Sequence, residues 1–199
     1  MIFLFRLLII FLLVPFSAFA SSKYFVDQIN LESDFLLQKV TTWRQHLHQY
    51  PELSNREFNT AKYIEKHLKS LDLEVTTGVA KTGLIAILRG NKPGPMVALR
   101  ADMDALPVVE QTGLPFASKE RSTFNGLDVG VMHACGHDAH IAILMGVAEF
   151  FSKHRDKLVG SIMFIFQPAE EGPPVGEEGG AELMLKEGIF KINKPDVIF

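Results

Sequence analysis

Hydrophobic and polar positions divide the chain into helical and extended segments. Apolar residues recur at helical spacing in residues 33–50 and again in residues 56–71, which predicts two helices. Ser33 is a suitable N-cap for the first helix, which should end before Pro51. The segments LEVTTGV and TGLIAILRG are rich in β-branched and aliphatic residues and are bounded by glycine, so both are predicted strands.

The second half of the chain contains two apolar strands that end in acidic residues. These are PMVALRADMDALP and GSIMFIFQPAEEG. Helices are predicted for AHIAILMGVAEFFSKH and GAELMLKEGIF, a turn for NKPGP, a polar loop for residues 111–129 and a last strand for DVIF. Continuous apolar strands are typical of a sheet covered on both faces. We therefore predict an α/β fold with three layers, in which helices flank a mostly parallel sheet.

The first 20 residues have a pattern of their own. One positive charge, Arg6, precedes an apolar run, Pro15 and the ending Ala18-Phe19-Ala20, which is the layout of a cleavable secretory signal. An uncleaved membrane anchor is the alternative, because the run approaches the ~20 residues that span a bilayer. We expect a signal peptide at residues 1–20, a flexible linker at residues 21–32 and a domain at residues 33–199. The mature protein would be periplasmic or secreted, without stable membrane insertion.

Composition and charge exclude little beyond nucleic acid as a partner. The chain has 199 residues, of which 47% are hydrophobic and 22% charged, as in an ordinary folded protein. The formal net charge of -3 is accompanied by no basic run, which argues against nucleic-acid binding. The single cysteine, Cys135, has no partner for an internal disulfide. In an exported chain it is therefore a buried small hydrophobe, a reactive thiol or a metal ligand.

Chemically active side chains cluster in MHACGHDAH and after the second acidic strand. Cys135 and His137 can face one centre only from an irregular loop, because residues two apart diverge on a helix. Thiolate and imidazole suit divalent transition ions, and a buried cysteine beside a capping histidine is the alternative. Glu170 and Glu171 cannot both face one way on an extended strand. One could then ligate a metal while the other serves as general base, unless the pair only opens an exposed turn.

The first acidic strand supplies two further candidates. Asp102 and Asp104 share a face of the strand because they are two residues apart. Each could ligate a metal, orient a histidine or remain solvated at the strand end. His140 is near the cluster in sequence, whereas His46 and His48 are expected to have surface or capping roles. Since ligands bind beyond the carboxyl ends of strands in open α/β sheets, both acidic ends should converge on one site.

Four blocks of the sequence together resemble the M20 family of metallopeptidases and amidohydrolases. They are WRQHLHQYPELSNREFNTAKYI, LRADMDALPVVE, MHACGHDAHIAILMGVA and FIFQPAEEG. The resembling branch contains hippurate hydrolases, N-acyl-amino-acid amidohydrolases and auxin-conjugate hydrolases. The resemblance implies two divalent ions, of manganese, zinc, nickel or cobalt, with Cys135, His137 and Glu171 as ligands. It also implies that Glu170 activates a metal-bound water and that Asp104 supports catalysis at the metal site.

The activity that the resemblance implies is hydrolysis of the amide bond in a small N-acyl amino acid. Where many relatives outside this branch have a histidine, this sequence has Asp102, so the role of that histidine does not carry over. Full-length relatives are longer and can form homo-oligomers, so we expect the chain to be an N-terminal part, truncated at its C-terminus. The alternative is an inactive fragment or pseudoenzyme with an incomplete metal site.

Overall fold

The structure, a computed structural model, describes residues 16–199 of the chain. These residues form four α-helices, one short 3-10 helix and seven strands. The helices are α1 (Phe16–Gln49), α2 (Phe58–Ser70), α3 (His137–Lys153) and α4 (Gly180–Glu187), with the 3-10 helix at Arg155–Lys157. The strands are β1 (Glu74–Val79), β2 (Gly83–Arg89), β3 (Lys92–Asp102), β4 (Arg121–Phe124), β5 (Leu127–Gly130), β6 (Val159–Gln167) and β7 (Val197–Ile198).

The signal peptide is predicted for a part of the chain that the structure mostly does not describe. The predicted signal peptide, residues 1–20, lies for the most part outside the described residues, and its cleavage stays a prediction. Within residues 16–199, none of the helices combines the length and the apolar character needed to cross a membrane. Two compact units divide between Asp34 and Phe35, and all seven strands and helices α2 to α4 belong to the second.

Five strands form the central sheet in the order β1-β2-β6-β3-β7. β3 pairs in parallel with both β6 and β7, whereas β2 runs antiparallel to its neighbours β1 and β6. Four of the five strands therefore run in one direction, which confirms the predicted α/β fold with a mostly parallel sheet. Asp102 at the end of β3 is in register with Gln167 at the end of β6. The residues that follow these two strands thus start from the same edge of the sheet.

Helices cover both faces of the sheet. On one face, Met163 and Ile165 of β6 form a cluster with Met184 of α4. Phe164 and Phe166 of the same strand point to the opposite face, because successive side chains alternate across a strand, and both are fully buried. Helices α2 and α3 pack on each other and on the sheet, and contribute no residue to the α4 cluster. They therefore cover the opposite face and complete three layers.

The first helix is longer than the sequence pattern predicts. Residues 21–32 have a helical backbone within α1, rather than that of the loose linker expected from their polar character. The sequence contains neither glycine nor proline between Pro15 and Pro51, so the residues that oppose a helix most strongly are missing there. The end of α1 at Gln49 agrees with the stop predicted before Pro51.

Two other segments differ from their predictions. The turn predicted at NKPGP is the start of β3, whose pairing with β6 is irregular between Lys92 and Met96. The polar loop predicted at residues 111–129 contains the hairpin of β4 and β5. Its turn residues Asn125 and Gly126 have φ values of 50° and 80°. Asn-Gly is a strong hairpin signal because both residues tolerate positive φ, and here it forms a hairpin where only a loop is predicted.

Substitution of Phe164 by alanine tests the position of the core. The side chain is 0% exposed at the centre of β6, so Phe164→Ala should lower the free energy of unfolding by about 3–5 kcal/mol. Urea unfolding followed by circular dichroism measures the change. Ile192→Ala is the control, because Ile192 is 92% exposed and should change stability by less than ~0.5 kcal/mol. Equal effects of the two substitutions would contradict this description of the core.

Candidate metal centre

Three segments of the chain meet at the edge of the sheet where β3 and β6 end. Asp104 follows β3, and Glu170 and Glu171 follow β6. His137 is the first residue of α3 and lies between them. Its ring nitrogens lie within 4.0 Å of carboxylate oxygens from all three acidic residues. The structure thus brings together side chains that the sequence places on separate strands and a helix.

The buried His137 ring faces different groups at its two nitrogens. Nδ1 lies 2.8 Å from the backbone oxygen of Asp104 and 3.5 Å from Asp104 Oδ1. Nε2 lies 3.7 Å from Glu170 Oε2 and 3.9 Å from Glu171 Oε1. Because Nδ1–H donates to the carbonyl oxygen, Nε2 is the nitrogen that could bind a metal ion.

The carboxylates around His137 favour positive charge at this position. Burial lowers the pKa of His137, but the hydrogen bonds to Asp104 and the charges of Asp104 and Asp102 outweigh burial and raise the pKa to about 9. The pKa of the Cys135 thiol is also raised, first by its hydrogen bond to Glu171 and then by the charge of that residue. A metal cation would replace the protons on both groups and offset the excess of negative charge.

Cys135, His137 and Glu171 offer a donor set that fits a divalent ion. One donor atom from each residue lies within 4.8 Å of the other two. Gly136 has a φ of 93°, in the left-handed region that glycine adopts without steric cost. This bend allows side chains two residues apart to face one centre. Thiolate, imidazole and carboxylate are all ligands of zinc and of similar transition ions.

A second group of candidate donors shares His137. Asp102, His137 and His140 also have donor atoms within 4.8 Å of one another, and Asp102 Oδ2 lies 3.7 Å from His140 Nδ1. The guanidinium of Arg100 lies 2.6 Å from the other oxygen of Asp102. Since Arg100 already balances this carboxylate, Asp102 is a weaker candidate ligand than Glu171.

Asp104 fixes the backbone of residues 169–171, which we call the acidic turn. Its side chain is 0% exposed. Oδ1 accepts the amide of Glu170 at 3.0 Å, and Oδ2 accepts the amide of Glu171 at 3.0 Å and the hydroxyl of Ser54 at 2.7 Å. Burial raises the pKa of Asp104, but the hydrogen bonds from His137, Ser54 and the two amides outweigh burial and lower it. These contacts fit a supporting role for Asp104.

Glu170 and Glu171 lie in a turn and not on an extended strand. β6 ends at Gln167, and Ala169 has a φ of 49°. The prediction that the two side chains cannot face the same way is therefore wrong, because the backbone here is not extended. Both carboxylates approach His137 Nε2, and the side chain of Glu170 is the more exposed, at 37% against 24% for Glu171. Glu170 is thus open to solvent beside the candidate ligands.

Glu57 is a buried carboxyl group that was not among the residues predicted from the sequence. It is 0% exposed, and its oxygens accept the amide of Ala169 at 2.9 Å and the hydroxyl of Thr82 at 2.6 Å. Burial raises the pKa of Glu57, and although both hydrogen bonds oppose this effect, the pKa reaches about 7. The residues Glu57 and Ala169 are 112 positions apart, so no local pattern distinguishes Glu57 from its polar neighbours.

A second buried network fixes the first turn of α3. His48 Nδ1 lies 2.9 Å from Asp138 Oδ2, and His48 Nε2 lies 3.1 Å from Glu110 Oε1. Arg44 donates to the same oxygen of Asp138 at 2.9 Å. The surface or capping role predicted for His48 is therefore wrong, since its side chain is buried between two carboxylates. Because Asp138 follows His137 in the chain, this network helps to orient the candidate ligand.

Comparisons with known proteins identify the family of the chain. The sequence model of peptidase family M20/M25/M40 matches residues 98–199. The chain is 48% identical over 168 residues to thermostable carboxypeptidase 1 of Saccharolobus solfataricus, with 82% of this chain and 39% of the relative covered. It is 44% identical over 168 residues to an N-acyl-L-amino acid amidohydrolase of Geobacillus stearothermophilus, with 84% and 40% covered.

A solved structure supports the same relationship. The YXEP protein of Bacillus subtilis, described as a dinuclear metal binding peptidase from the M20 family, aligns with a TM-score of 0.71 and 41% identity. The alignment covers 83% of this chain and 42% of that protein. The chain thus spans about two fifths of the length of these relatives.

The pKa of Glu57 generates a pH-dependent prediction for Glu57→Gln. Folding raises the pKa of the Glu57 carboxyl group from 4.5 to about 7. The protonated group therefore contributes its full stabilisation below pH 4.5, and this contribution is lost as the pH rises through 7. Glutamine does not titrate, so the variant should gain stability relative to the unchanged chain between pH 5 and 8. The gain is at most about 3.5 kcal/mol, since one pKa unit corresponds to about 1.4 kcal/mol.

Urea unfolding at several pH values, with a chelator present, measures the difference. Glu182→Gln is the control because it removes one carboxylate from an exposed position on α4. Parallel pH curves for Glu57→Gln and the unchanged chain would contradict the raised pKa.

Proposed function

The chain belongs to peptidase family M20/M25/M40, and we propose that it contributes metal ligands and the general base to the active site of a metal-dependent amidohydrolase. In this proposal Cys135, His137 and Glu171 are metal ligands, Glu170 is the general base and Asp104 supports the site. The substrate is an N-acyl amino acid, and the bond cleaved is the amide between the acyl group and the amino acid nitrogen.

One observation carries the proposal: a set of possible metal ligands and a second carboxylate both lie beside the imidazole of His137. The thiol, imidazole and carboxylate of the proposed ligands lie within 4.8 Å of one another. A second carboxylate, from Glu170, lies 3.7 Å from the same imidazole and is open to solvent. Metal-assisted hydrolysis needs both a ligand set and a base that can reach water beside it.

The donor set supports a divalent transition ion as the cofactor. When bound, such an ion polarises the acyl carbonyl and lowers the pKa of water. Two ions of manganese, zinc, nickel or cobalt are proposed, because the related Bacillus subtilis structure is described as dinuclear. The ligand types in this chain do not select among these metals.

Glu170 would move the proton in both halves of the reaction. Its carboxylate accepts a proton from water as the water oxygen bonds to the acyl carbon. The same carboxyl group then donates that proton to the nitrogen as the carbon–nitrogen bond breaks, so the products are a carboxylic acid and a free amino acid. Asp104 holds the backbone amide of Glu170, which would keep the base in position through both transfers.

The substrate class is supported by the family and by one relative in particular. The Geobacillus stearothermophilus protein is named for N-acyl-L-amino acids. Hippurate-like and auxin-conjugate-like compounds are the first substrates to test. We further propose that residues 1–20 direct export and that a longer form of the protein associates with copies of itself, as the sequence resemblance implies.

Cys135→Ser should weaken metal binding, because a serine hydroxyl is a much poorer ligand than a thiolate for zinc-type ions. Isothermal titration of the purified chain with zinc or manganese measures affinity, and elemental analysis after dialysis measures content. His46→Gln is the control, since His46 stacks on Tyr63 away from the candidate ligands. Unchanged metal content in Cys135→Ser would remove Cys135 from the ligand set.

Glu170→Gln should reduce turnover by about 10²–10⁴-fold, the usual contribution of a general base, and leave metal bound. Hydrolysis of N-acetyl and N-benzoyl amino acids is assayed with added manganese or zinc. The 199-residue chain and any longer product of the same reading frame are both tested. Glu178→Gln is the control because its side chain is 67% exposed.

Full activity of Glu170→Gln would refute the assignment of the base. Absence of activity in every product with metal bound would instead favour the inactive pseudoenzyme.

A further inference from the structure

Two buried carboxyl groups hold three consecutive amides of the acidic turn. Glu57 accepts the amide of Ala169 at 2.9 Å. Asp104 accepts the amides of Glu170 and Glu171, each at 3.0 Å. Glu57 and Asp104 are 0% and 1% exposed. Every amide from Ala169 to Glu171 is therefore bound by a side chain that solvent hardly reaches.

The turn needs such a constraint because its backbone is strained. Ala169 has a φ of 49°, a left-handed conformation that costs a residue with a Cβ about 1–2 kcal/mol. Conformations of this kind persist only where surrounding contacts fix them. Ala169 is 3% exposed and directly precedes Glu170. Relaxation of its φ would rotate the following peptide and displace the carboxylate of Glu170.

Glu57 connects the turn to two rigid parts of the fold. It is the N-cap residue of α2, and its backbone oxygen accepts the amide of Ala61 at 2.9 Å. Its second carboxyl oxygen accepts the hydroxyl of Thr82, at the turn between β1 and β2, at 2.6 Å. The donors to its side chain are thus a hydroxyl and a backbone amide rather than a cation.

The neighbouring backbone packs closely against the turn at two glycines. A Cβ placed on Gly83 would lie 2.6 Å from Cδ of Pro168, so only glycine lets β2 approach the turn this closely. A Cβ on Gly179 would likewise lie 3.0 Å from the Cβ of Ala169. Glu57 therefore supplies the hydrogen bond, and the two glycines supply the close packing.

We propose that Glu57 is a positioning residue for the acidic turn, which acts through the amide of Ala169 to orient Glu170 and Glu171. The inference rests on the proposed function, because it assigns the orientation of the proposed base and one proposed ligand. Asp104 binds the amides of Glu170 and Glu171. Glu57 binds the amide of Ala169, the strained residue that precedes them. Both contacts are needed to define the direction of the turn.

Glu57→Ala and Glu57→Gln separate this role from general stabilisation. Alanine leaves the Ala169 amide and the Thr82 hydroxyl without their acceptor. Glutamine can accept from the amide with Oε1 and donate to the hydroxyl with its NH₂ group, so it keeps both hydrogen bonds. Leu68→Ala is the matched control, because it destabilises α2 from a fully buried position near the end of the helix opposite to Glu57.

The first measurement is amide hydrogen exchange in the 199-residue chain, followed by NMR. Glu57→Ala should accelerate exchange of Ala169, Glu170 and Glu171 by roughly tenfold or more relative to Phe164 in β6. Glu57→Gln should leave the exchange of the turn relative to Phe164 as it is in the unchanged chain, and Leu68→Ala should shift the turn and the strand together. If Glu57→Ala does not fold, Thr82→Val removes one hydrogen bond to Glu57 and should have a smaller effect in the same direction.

The second measurement is the affinity for zinc and manganese by isothermal titration. Glu57→Ala should weaken binding by about tenfold or more, as is usual when a residue that supports a ligand is lost. Glu57→Gln should bind like the unchanged chain. Unaltered exchange at the turn in Glu57→Ala, or an equal loss in both variants, would overturn the positioning role. Failure of the unchanged chain to bind metal would refute the proposed metal site, and the exchange measurement would still decide the role of Glu57.

Discussion

The candidate site depends on the hydrogen bonds that Asp104 accepts from the amides of Glu170 and Glu171. The same residue binds His137 through its backbone oxygen, so one aspartate sets the positions of an imidazole and two carboxylates. A buried carboxylate is costly to desolvate, and here four hydrogen-bond donors offset that cost. Such an arrangement costs little further reorganisation when a cation arrives, because the ligand side chains already face each other.

The parallel pairing of β3 with β6 makes this contact possible. Asp102 and Gln167 are in register at the ends of the two strands, so the segments after them leave the sheet side by side. Helix α3 supplies the third segment of the site. His137 is its first residue, and His48 binds the next residue, Asp138. Sheet, helix and turn each contribute one part of the site, which explains why its residues are scattered through the sequence.

Much of this arrangement follows from local patterns. Periodicity identifies α2, α3, β2 and β6, and the acidic ends of β3 and β6 indicate where the site forms. The roles of Glu57 and His48 could not be predicted, because their partners are far away in sequence and a buried carboxyl or imidazole leaves no periodic signal. The side-by-side approach of Glu170 and Glu171 depends on the left-handed φ of Ala169, and alanine gives no warning of such a conformation.

The acidic turn follows β6 almost directly, so insertions and deletions within β6 are expected to disrupt the site. Each residue of a strand advances it by about 3.3 Å and reverses the side-chain direction. One residue gained or lost within β6 would therefore move the amides of Glu170 and Glu171 away from Asp104, and the amide of Ala169 away from Glu57. The hairpin of β4 and β5 lies in a separate two-stranded sheet, so its turn can lengthen without altering that register. Insertions and deletions among descendants of this gene would accumulate at the hairpin and spare the strand that carries the acids.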